Sequence, residues 1–590
     1  MLVVIENSKI LYMILKTKDN GGNMTKKFSS IGLRFCLIAT LSLASIGVAV
    51  PGEQPQYGGK LTYVDWFSNV DPGNPDIGDG GWYPTQWLGN IQERPLVGDF
   101  ETYGPRGTGE YPFQLDVYIP EQYLKGNLLE SWEITPKKLI WNVRPGIIWQ
   151  GLNQGRRVMK DRELTAADVV ADLLYFKAGP GGKLFKGMSG DIYKTGRYSL
   201  VIEFKKGLDI YMMYVVGQED RSQISPPEIE GSSSWADQVG TGPFMLKEYV
   251  VGSHMTYERN PNYWAKTTVD GVEYNLPFLD EVVWPIIPDE STRIAALRSG
   301  RIDYYDRLPS TFWGNLDKTA PKLESARSFG SGADVVILRT TTPPFDNLEV
   351  RRAMTVATDM KAFADLHHVG SLPKHTYPIH PDNPDVYTPL KELPEKIRIL
   401  YDYNPEKAKQ MLKDAGYPNG FTIQHQTRSI PEWQDRAALL KDMWSKVGVT
   451  VEINVVDDTT FYSYDKSWYK KKNLNTRQHG LELADPVSVI RMATGHHFNF
   501  PEWSNKSFDK LSKKIVAEID FSKRNKLVKE ASLIMLDETI YIPLAFTPQA
   551  SFWWPWIKNY YAEINIEDQQ LDPVIARVWI DQALKAKMGY

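Results

Sequence analysis

The densest group of side chains suited to metal binding is a run of histidines in the C-terminal half of the chain. Four of the nine histidines fall within fourteen residues, at His367, His368, His375 and His380. Neutral imidazoles bind transition metals, but two rings share one helix face only when they lie about four residues apart. Prolines also interrupt this run. We therefore interpret it as a polar loop, and we expect no metal and no other cofactor.

Sequence motifs of hydrolases and nucleotide-binding proteins are missing from the chain. It has no Gly-x-Ser-x-Gly elbow and no His-Glu-x-x-His helix, and the glycine-rich stretch 179–183 lacks P-loop spacing. The single cysteine, Cys36, lies in an N-terminal apolar run, so the rest of the chain has no thiol nucleophile and no disulfide. These observations favour a protein that is not an enzyme. With 72 acidic residues, no pattern singles out a glycosidase-like carboxylate pair, so a secreted glycoside hydrolase stays an alternative.

The composition combines a small net charge with many aromatic residues. A formal net charge of −4 leaves no basic surplus to neutralise phosphates, which excludes a general nucleic-acid binder. The 18 tryptophans, 31 tyrosines and 22 phenylalanines fill a core and also provide flat apolar faces for a recognition cleft. At about 100–200 residues per domain, 590 residues predict about three to five folding units.

The N-terminus has the pattern of an export signal. Basic residues precede the apolar run 36–50, which is short for a membrane span, and residues 47–49 place small side chains where a signal peptidase cuts. We predict a cleaved signal within residues 1–49, with the true start at Met24, and a periplasmic protein. The residues before Cys36 do not fit a lipoprotein signal. A retained membrane anchor is the alternative.

Hydrophobic periodicity predicts a mixed α/β protein with partly parallel strands. Thr165 begins one helix with a capping-box pattern, and Asn404-Pro405 and Gly416 mark the start and end of another. A further helix covers residues 433–447, and Gly448 separates it from a strand. The predicted strands share a partial alternation of apolar and polar residues. They cover residues 59–64, 139–143, 198–204 and 449–456.

Five sequence blocks occur together and in order along nearly the whole chain after the export signal. They are residues 129–170 (with Trp141-Asn142-Val143-Arg144-Pro145-Gly146), 239–264 (with Gly240-Thr241-Gly242-Pro243-Phe244 and Asn260-Pro261-Asn262-Tyr263-Trp264), 296–303, 344–353 and 408–416. In this order they resemble the extracellular solute-binding proteins of the dipeptide/oligopeptide type, family 5, which are receptors of ATP-driven (ABC) importers. One block alone would be weak, whereas five in family order make a specific resemblance.

The resemblance implies a two-lobe periplasmic-binding-protein clamp, of type II and of the large cluster with an extra subdomain, with mixed β-sheets flanked by helices. Lobe I would comprise residues 56–278 and 540–590, including an inserted subdomain, and lobe II residues 279–539. A peptide or similar solute would lie between the lobes, which close over it by hinge motion. The expected partner is an ABC transporter permease, and the expected oligomeric state is a monomer.

In peptide-binding members of the family, a Trp-x-x-Asp-x-x-Asp/Glu-Pro segment holds the peptide α-ammonium on its first acid. The matching stretch here is His479-Gly480-Leu481-Glu482-Leu483-Ala484-Asp485-Pro486. Glu482 falls where the ammonium ligand belongs, and His479 replaces the tryptophan. Leu481, Leu483 and Asp485 complete the candidate segment, and Arg477 is a candidate partner for a ligand carboxylate because its guanidinium can form two bonds to one carboxylate.

The departures from the family pattern keep a second ligand class open. Related receptors of the same architecture bind oligosaccharides, whose rings stack on aromatic side chains. The loops of the expected lobe I carry four tryptophans within reach of a cleft. They are Trp66, Trp82, Trp87 and Trp149. A scaffolding role for the same clamp is a further alternative.

Overall fold

A computed structural model of the chain describes residues 54–65, 68, 71–79, 84–114, 118–219, 221–366, 378–381, 383, 385–463, 468–482, 486–566 and 571–590. At positions 330, 331, 458, 459, 482 and 547 it describes the backbone only. The predicted export signal therefore lies outside the described residues. Within them, no helix has both the length and the apolar character needed to cross a membrane.

The described chain contains 24 strands, most of them short. They are β1 (Lys60–Val64), β2 (Leu96–Gly98), β3 (Leu124–Gly126), β4 (Leu129–Ile134), β5 (Lys138–Val143), β6 (Ile148–Trp149), β7 (Leu152–Asn153), β8 (Arg156–Arg157), β9 (Arg162–Glu163), β10 (Ser189–Lys194), β11 (Ser199–Phe204), β12 (Phe244–Val250), β13 (His254–Arg259), β14 (Lys266–Val269), β15 (Val272–Asn275), β16 (Glu281–Pro285), β17 (Tyr304–Tyr305), β18 (Glu324–Leu338), β19 (Phe421–Arg428), β20 (Val449–Val456), β21 (Thr476–Glu482), β22 (Tyr541–Trp553), β23 (Ile557–Lys558) and β24 (Trp579–Ile580).

The α-helices are concentrated in the second half of the chain. They are α1 (Thr85–Leu88), α2 (Ala166–Ala178), α3 (Lys183–Met188), α4 (Ile210–Gly217), α5 (Glu290–Arg298), α6 (Trp313–Thr319), α7 (Leu348–Val356), α8 (Met360–Leu366), α9 (Glu395–Arg398), α10 (Pro405–Asp414), α11 (Pro431–Ser445), α12 (Asp458–Tyr462), α13 (Val487–Ile490), α14 (Lys506–Val516), α15 (Phe521–Glu538), α16 (Asp572–Ile575) and α17 (Gln582–Lys587).

The local predictions for strands and helices are confirmed. The backbone N–H of Thr165 donates to Asp168 at 2.8 Å at the start of α2. Asn404 caps α10 by accepting from the N–H of Lys407 at 2.9 Å, and Gly416 follows the helix with a φ of +95°, a conformation that glycine adopts without strain. The four predicted strands correspond to β1, β5, β11 and β20, and β20 is parallel to β19.

One ten-stranded sheet organises the chain, in the order β12-β13-β16-β1-β17-β22-β18-β21-β19-β20. At one end β1 lies parallel to both β16 and β17. At the other end β19 lies parallel to both β20 and β21. The long antiparallel strands β18 and β22 occupy the middle and join the two parallel groups. A separate antiparallel sheet has the order β10-β11-β5-β4.

Apolar packing supports both ends of the ten-stranded sheet. The larger core includes β1, β16 and β17 together with the aromatic-rich C-terminal segment. A second core packs α7, α10 and α11 against the sheet, where Leu412 and Trp444 bury their side chains beside Ile423 and Val449. Burial of large apolar side chains of this kind contributes about 1.5–3 kcal/mol each.

Asp303 anchors the C-terminal segment to β1, and we predict that Asp303→Asn destabilises the fold. Its buried carboxylate accepts from the N–H of Thr62 at 2.8 Å, from Trp556 Nε1 at 2.8 Å and from Lys585 Nζ at 2.6 Å. The substitution removes the charge that accepts all three hydrogen bonds, while Lys585, which is 26% exposed, stays solvated, so the unfolding free energy should fall by about 2 kcal/mol. Urea denaturation measures this change.

The matched control is Asp581→Asn in the same C-terminal segment. Asp581 caps α17 by accepting from the N–H of Leu584 at 2.8 Å, and asparagine caps a helix about as well as aspartate. The control should stay within about 0.5 kcal/mol of the natural protein. Equal effects of the two substitutions would contradict the anchoring role of Asp303.

Candidate functional site

The carboxyl ends of three parallel strands meet at one edge of the sheet. β19 ends at Arg428, β20 at Val456 and β21 at Glu482. The β19–β21 pairing aligns Gln426 with Arg477, and continuing this register places Arg428 beside His479. Ligands of open α/β sheets bind beyond the carboxyl ends of parallel strands, so this edge is a candidate binding surface. We call it the arginine edge.

A second edge of the same kind lies at the other end of the sheet. β1, β16 and β17 are parallel, so their carboxyl ends also lie together. A cavity of about 20 Å³ opens there. We call it the carboxylate cavity, and its lining residues are Tyr63, Asp65, Gln86, Trp284, Asp306, Arg307, Leu571 and Asp572.

The register of the central strands shows that the two edges face each other. Tyr305 at the end of β17 aligns with Phe552 of β22, and Ala333 of β18 aligns with both Phe546 of β22 and Leu481 near the end of β21. β17 therefore runs toward the N-terminal end of β22, whereas β21 runs toward its C-terminal end. The two edges are separated by the six-residue step along β22 from Phe546 to Phe552, about 20 Å at the rise of a β-strand. This distance leaves room for a small oligomeric ligand.

The ladder between β18 and β22 is irregular at the level of this gap. Phe329 pairs with Pro548 and Ala333 pairs with Phe546, so β18 has two more residues between these pairs than β22 has. A bulge leaves residues unpaired and bends the strand locally. Pro548 also has no N–H to donate to the ladder. The connection between the two halves of the sheet is therefore weakest where a ligand would lie.

Arg428 is a functional candidate that the sequence reasoning missed. Its half-buried guanidinium lies over three aromatic rings, 4.9 Å from the ring centre of Trp433, 5.3 Å from Tyr462 and 5.9 Å from Phe461. Aromatic faces hold a guanidinium in place by cation–π attraction. The predicted strands do not include residues 421–428, so nothing in the sequence analysis placed this arginine at a strand end.

Arg477 lies deeper in the arginine edge than predicted for a direct carboxylate ligand. Its side chain is fully buried, with the guanidinium 3.6 Å from the ring centre of Phe461 and one N–H donating to the Phe461 carbonyl at 2.7 Å. In this conformation it supports Phe461, which in turn contacts Arg428. Its charge adds to the positive potential of the edge.

His479 is buried and neutral. Its ring stacks on Phe500 at 4.9 Å with an interplanar angle of 25°. Burial, with the positive charge of Arg477, lowers its pKa to about 3. The histidine that replaces the family tryptophan is therefore an uncharged ring at physiological pH, and its Nδ1 lies at hydrogen-bond distance from the Gly480 carbonyl.

The other predicted site residues divide into three groups. Leu481 is half-buried and pairs with Ala333 of β18, and Glu482 ends β21 opposite Gly332, with only its backbone described. Trp87 and Trp149 lie in the core with no exposed surface. The rest lie outside the described residues. They are Leu483, Asp485, Trp66 and Trp82.

Trp87 packs against a residue that lines the carboxylate cavity. It stacks on Trp284 at 4.0 Å with an interplanar angle of 19°, and Trp284 lines the cavity. Trp149 ends the short strand β6, which pairs with β9. Neither tryptophan presents a face to solvent in this conformation.

The described residues contain no group of three or more His, Cys, Asp or Glu side chains arranged to hold a metal ion. Of the histidine run, His380 is described; it is buried against the ring of Phe546 at 4.7 Å. His367, His368 and His375 lie outside the described residues.

Comparison with known families agrees with this architecture. The family model described as bacterial extracellular solute-binding proteins, family 5 middle, matches residues 124–495, more than half of the chain. The chain belongs to family 5 of the bacterial extracellular solute-binding proteins. The resemblance drawn from the five sequence blocks is therefore confirmed.

Two relatives show how far this family membership extends along the chain. The heme-binding protein A of Haemophilus influenzae is 27% identical over 474 residues, which cover 73% of this chain and 81% of that protein. The dipeptide-binding protein of Escherichia coli is 24% identical over 500 residues, covering 75% of this chain and 86% of that protein. Both are named as binding proteins.

Solved structures share the fold. The periplasmic binding protein DppA of Helicobacter pylori, in complex with the peptide STSA, has a TM-score of 0.67 at 20% identity, covering 89% of this chain and 99% of its own. The oligopeptide-binding protein AppA of Bacillus subtilis, in complex with a nonapeptide, has a TM-score of 0.66 at 18% identity, covering 89% of this chain and 100% of its own. The predicted type II periplasmic-binding-protein fold is confirmed.

We predict that the burial of His479 makes the protein less stable in acid. The unfolded side chain has an ordinary pKa near 6.5, whereas the folded pKa is about 3. The unfolded state therefore binds more protons below pH 6.5, and the contribution of this group, complete above that pH, is lost as the pH falls toward 3. Between pH 7 and pH 5 the loss is about 2 kcal/mol.

Urea denaturation of His479→Gln and the natural protein at both pH values measures this contribution. The variant lacks the titrating group, so the difference in unfolding free energy between the two proteins should shrink by about 2 kcal/mol at pH 5. A difference that is the same at pH 7 and pH 5 would show that His479 is not buried as a neutral ring.

Proposed function

We propose that this protein is the solute-binding receptor of an ABC importer, which captures a peptide or similar oligomeric solute between two lobes and delivers it to a membrane permease. The observation that carries this proposal is the pair of strand edges that face each other across about 20 Å of β22. Relatives named as dipeptide-binding and di/tripeptide-binding proteins support it. So do solved structures that hold peptides.

We propose that the lobes meet at β18 and β22. The parallel pairing of β16 and β17 with β1 supports a start of lobe II at β18, later than position 279. Lobe I then contains the carboxylate cavity, and lobe II contains the arginine edge. The four-stranded sheet β10-β11-β5-β4 corresponds to the inserted subdomain of lobe I.

Contacts between the proposed lobes supply energy for closure. Arg524 of α15, with its side chain 4% exposed, forms an ion pair with Glu121 at 2.6 Å. Arg491 donates to the hydroxyl of Tyr211 of α4 at 3.3 Å. Only contacts that exist in the closed state favour closure, so these pairs tune affinity without touching the ligand.

Binding without turnover is part of the proposal. We propose an exported, monomeric receptor that works in the periplasm and releases its solute unchanged. Relatives named as dipeptide-binding and di/tripeptide-binding proteins favour a peptide-like ligand over an oligosaccharide. The charged groups at both edges suit a ligand with charged ends.

Native mass spectrometry of the protein purified from its host tests this proposal. The complex should carry an added mass, and denaturation should release peptides with unchanged covalent structure. Protein purified empty should acquire the same mass from an added pool of di- to pentapeptides. Hexose-spaced masses, conversion of the ligand, or failure to bind any member of the pool would contradict a peptide receptor.

We predict that Glu482 and Arg428 recognise opposite ends of a peptide. Glu482→Gln should weaken binding of a tripeptide at least about fivefold, but leave binding of its N-acetylated form unchanged. Arg428→Gln should weaken binding of the free tripeptide by a similar factor, but leave its C-terminally amidated form unchanged. Isothermal titration calorimetry measures the binding of the free, N-acetylated and amidated tripeptides to both variants. Each variant is the control for the other.

Two exposed residues away from both edges provide further controls. Glu530→Gln on α15 and Arg398→Gln on α9 change the same charges at exposed positions, and neither should alter affinity more than about twofold. If Glu482→Gln or Arg428→Gln weakens the modified and free peptides equally, the corresponding end assignment is wrong.

We predict that the ion pair between Arg524 and Glu121 stabilises the closed state. Glu121→Arg should lower peptide affinity about tenfold, because two like charges then meet on closure. Reversing both charges in Glu121→Arg/Arg524→Glu should restore most of the affinity. Calorimetry measures the affinities, and small-angle X-ray scattering measures the closure. A double variant as weak as the single one would contradict the interlobe role.

A further inference from the structure

The loop that follows α13 contacts α4 across the boundary between the two proposed lobes. α13 ends at Ile490, and residues 491–505 connect it to α14. The ring of His496 in this loop lies 6.1 Å from the ring of Tyr211 on α4, with an interplanar angle of 53°. Arg491, in the same loop, donates to the Tyr211 hydroxyl at 3.3 Å. We call these contacts of Tyr211 with Arg491 and His496 the histidine contact.

The protonation state of His496 follows from its hydrogen bonds. The backbone N–H of Phe498 donates to His496 Nδ1 at 3.2 Å, so Nδ1 is an acceptor and the ring proton lies on Nε2. Nε2 is buried and has no hydrogen-bond partner among the residues that the structure describes. A second proton would have to occupy Nδ1, which could then no longer accept from Phe498. This conformation therefore holds the neutral ring.

The side chains of the loop itself also oppose a proton on His496. Burial, with the positive charges of Arg491 and His497, lowers the pKa of His496 to about 4. The guanidinium of Arg491 lies 4.6 Å from the ring centre of Phe498, which helps to hold it in place. A protonated imidazole at this position would be repelled by that guanidinium.

The described groups of lobe I that face His496 do not offset this repulsion. Burial raises the pKa of Tyr211, so its hydroxyl stays neutral. Glu219 and Arg221 act on Tyr211 from lobe I and form an ion pair with each other at 2.8 Å. The charge of the Glu219 carboxylate is therefore largely compensated by its own neighbour.

Opening of the proposed cleft would separate His496 from Tyr211. The ring would then gain contact with water, and its pKa would return toward the ordinary value near 6.5. The open state therefore binds more protons than the closed state between about pH 4 and pH 6.5. Acid favours the state that binds more protons, so it favours opening.

We propose that His496 makes closure of the receptor sensitive to pH, so that the protein holds its solute at neutral pH and releases it in acid. This inference rests on the proposed function, because it requires that α4 and the loop after α13 belong to lobes that separate. His496 then controls affinity through closure, without contact with the ligand.

Isothermal titration calorimetry with trialanine at pH 7 and pH 5 tests this role. Binding to the natural protein should weaken about tenfold between these pH values. At pH 5.5 binding should also release about one proton, which is measured in buffers of different ionisation enthalpy. His496→Asn should remove both effects, because asparagine is neutral at each pH and its side-chain oxygen can accept from the N–H two residues later.

His497→Gln is the matched control, since it removes an exposed histidine next to His496. It should keep the natural dependence on pH within about twofold. Equal affinity of the natural protein at pH 7 and pH 5, or a tenfold fall that survives in His496→Asn, would overturn the proposal. If His496→Asn does not fold, proton release by the natural protein decides: no release at pH 5.5 would overturn the proposal.

If trialanine does not bind, small-angle X-ray scattering of the protein alone decides on the role of His496, while native mass spectrometry still decides on the peptide assignment. The natural protein should have a larger radius of gyration at pH 5 than at pH 7, and His496→Asn should have the same radius at both. A natural protein whose radius does not change, or a variant that expands equally, would overturn the proposal.

Discussion

The antiparallel pairing of β18 and β22 is the constraint on which the rest of the structure depends. These two strands hydrogen-bond across the middle of the ten-stranded sheet and pair with β17 on one side and β21 on the other. Their register fixes the direction of every neighbouring strand. As a result, the carboxyl ends of two separate parallel groups point toward each other, and the proposed cleft lies between them.

In the proposed two-lobe receptor, the same pairing allows the cleft to open and close. A continuous ladder would resist bending, but the bulge between Phe329 and Ala333 interrupts it at the level of the cleft. Closure then depends on contacts that span the gap, such as the ion pair of Arg524 with Glu121. Small changes in these contacts shift the equilibrium, because a ligand and an interlobe pair contribute to the same free energy of closure.

Local elements of this fold were predictable from the sequence because their signals lie within a few residues. The Asn404 cap, the Gly416 stop and the alternation of β20 each reflect a local backbone requirement. The family blocks further identified the fold. Arg428 was missed because its role depends on the pairing of β19 with β21, which brings together residues about fifty positions apart.

The carboxylate cavity was beyond sequence reasoning for the same reason. Asp65, Asp306 and Asp572 become neighbours only when β1 pairs with β17 and the C-terminal segment returns to them. Aromatic content likewise does not distinguish a cleft tryptophan from a core one: Trp87 and Trp149 are both fully buried. Their role in packing follows from tertiary contacts that no local pattern records.

Hydrogen–deuterium exchange with and without a peptide pool tests most directly whether a solute is enclosed by both edges. Capture by both edges should slow exchange simultaneously in the segments that end β19 and β21 and in those that follow β1 and β17. Exchange at the β18 bulge should also become slower, since closure fixes the ladder there. Protection confined to one edge, or located elsewhere in the protein, would contradict capture between the two edges.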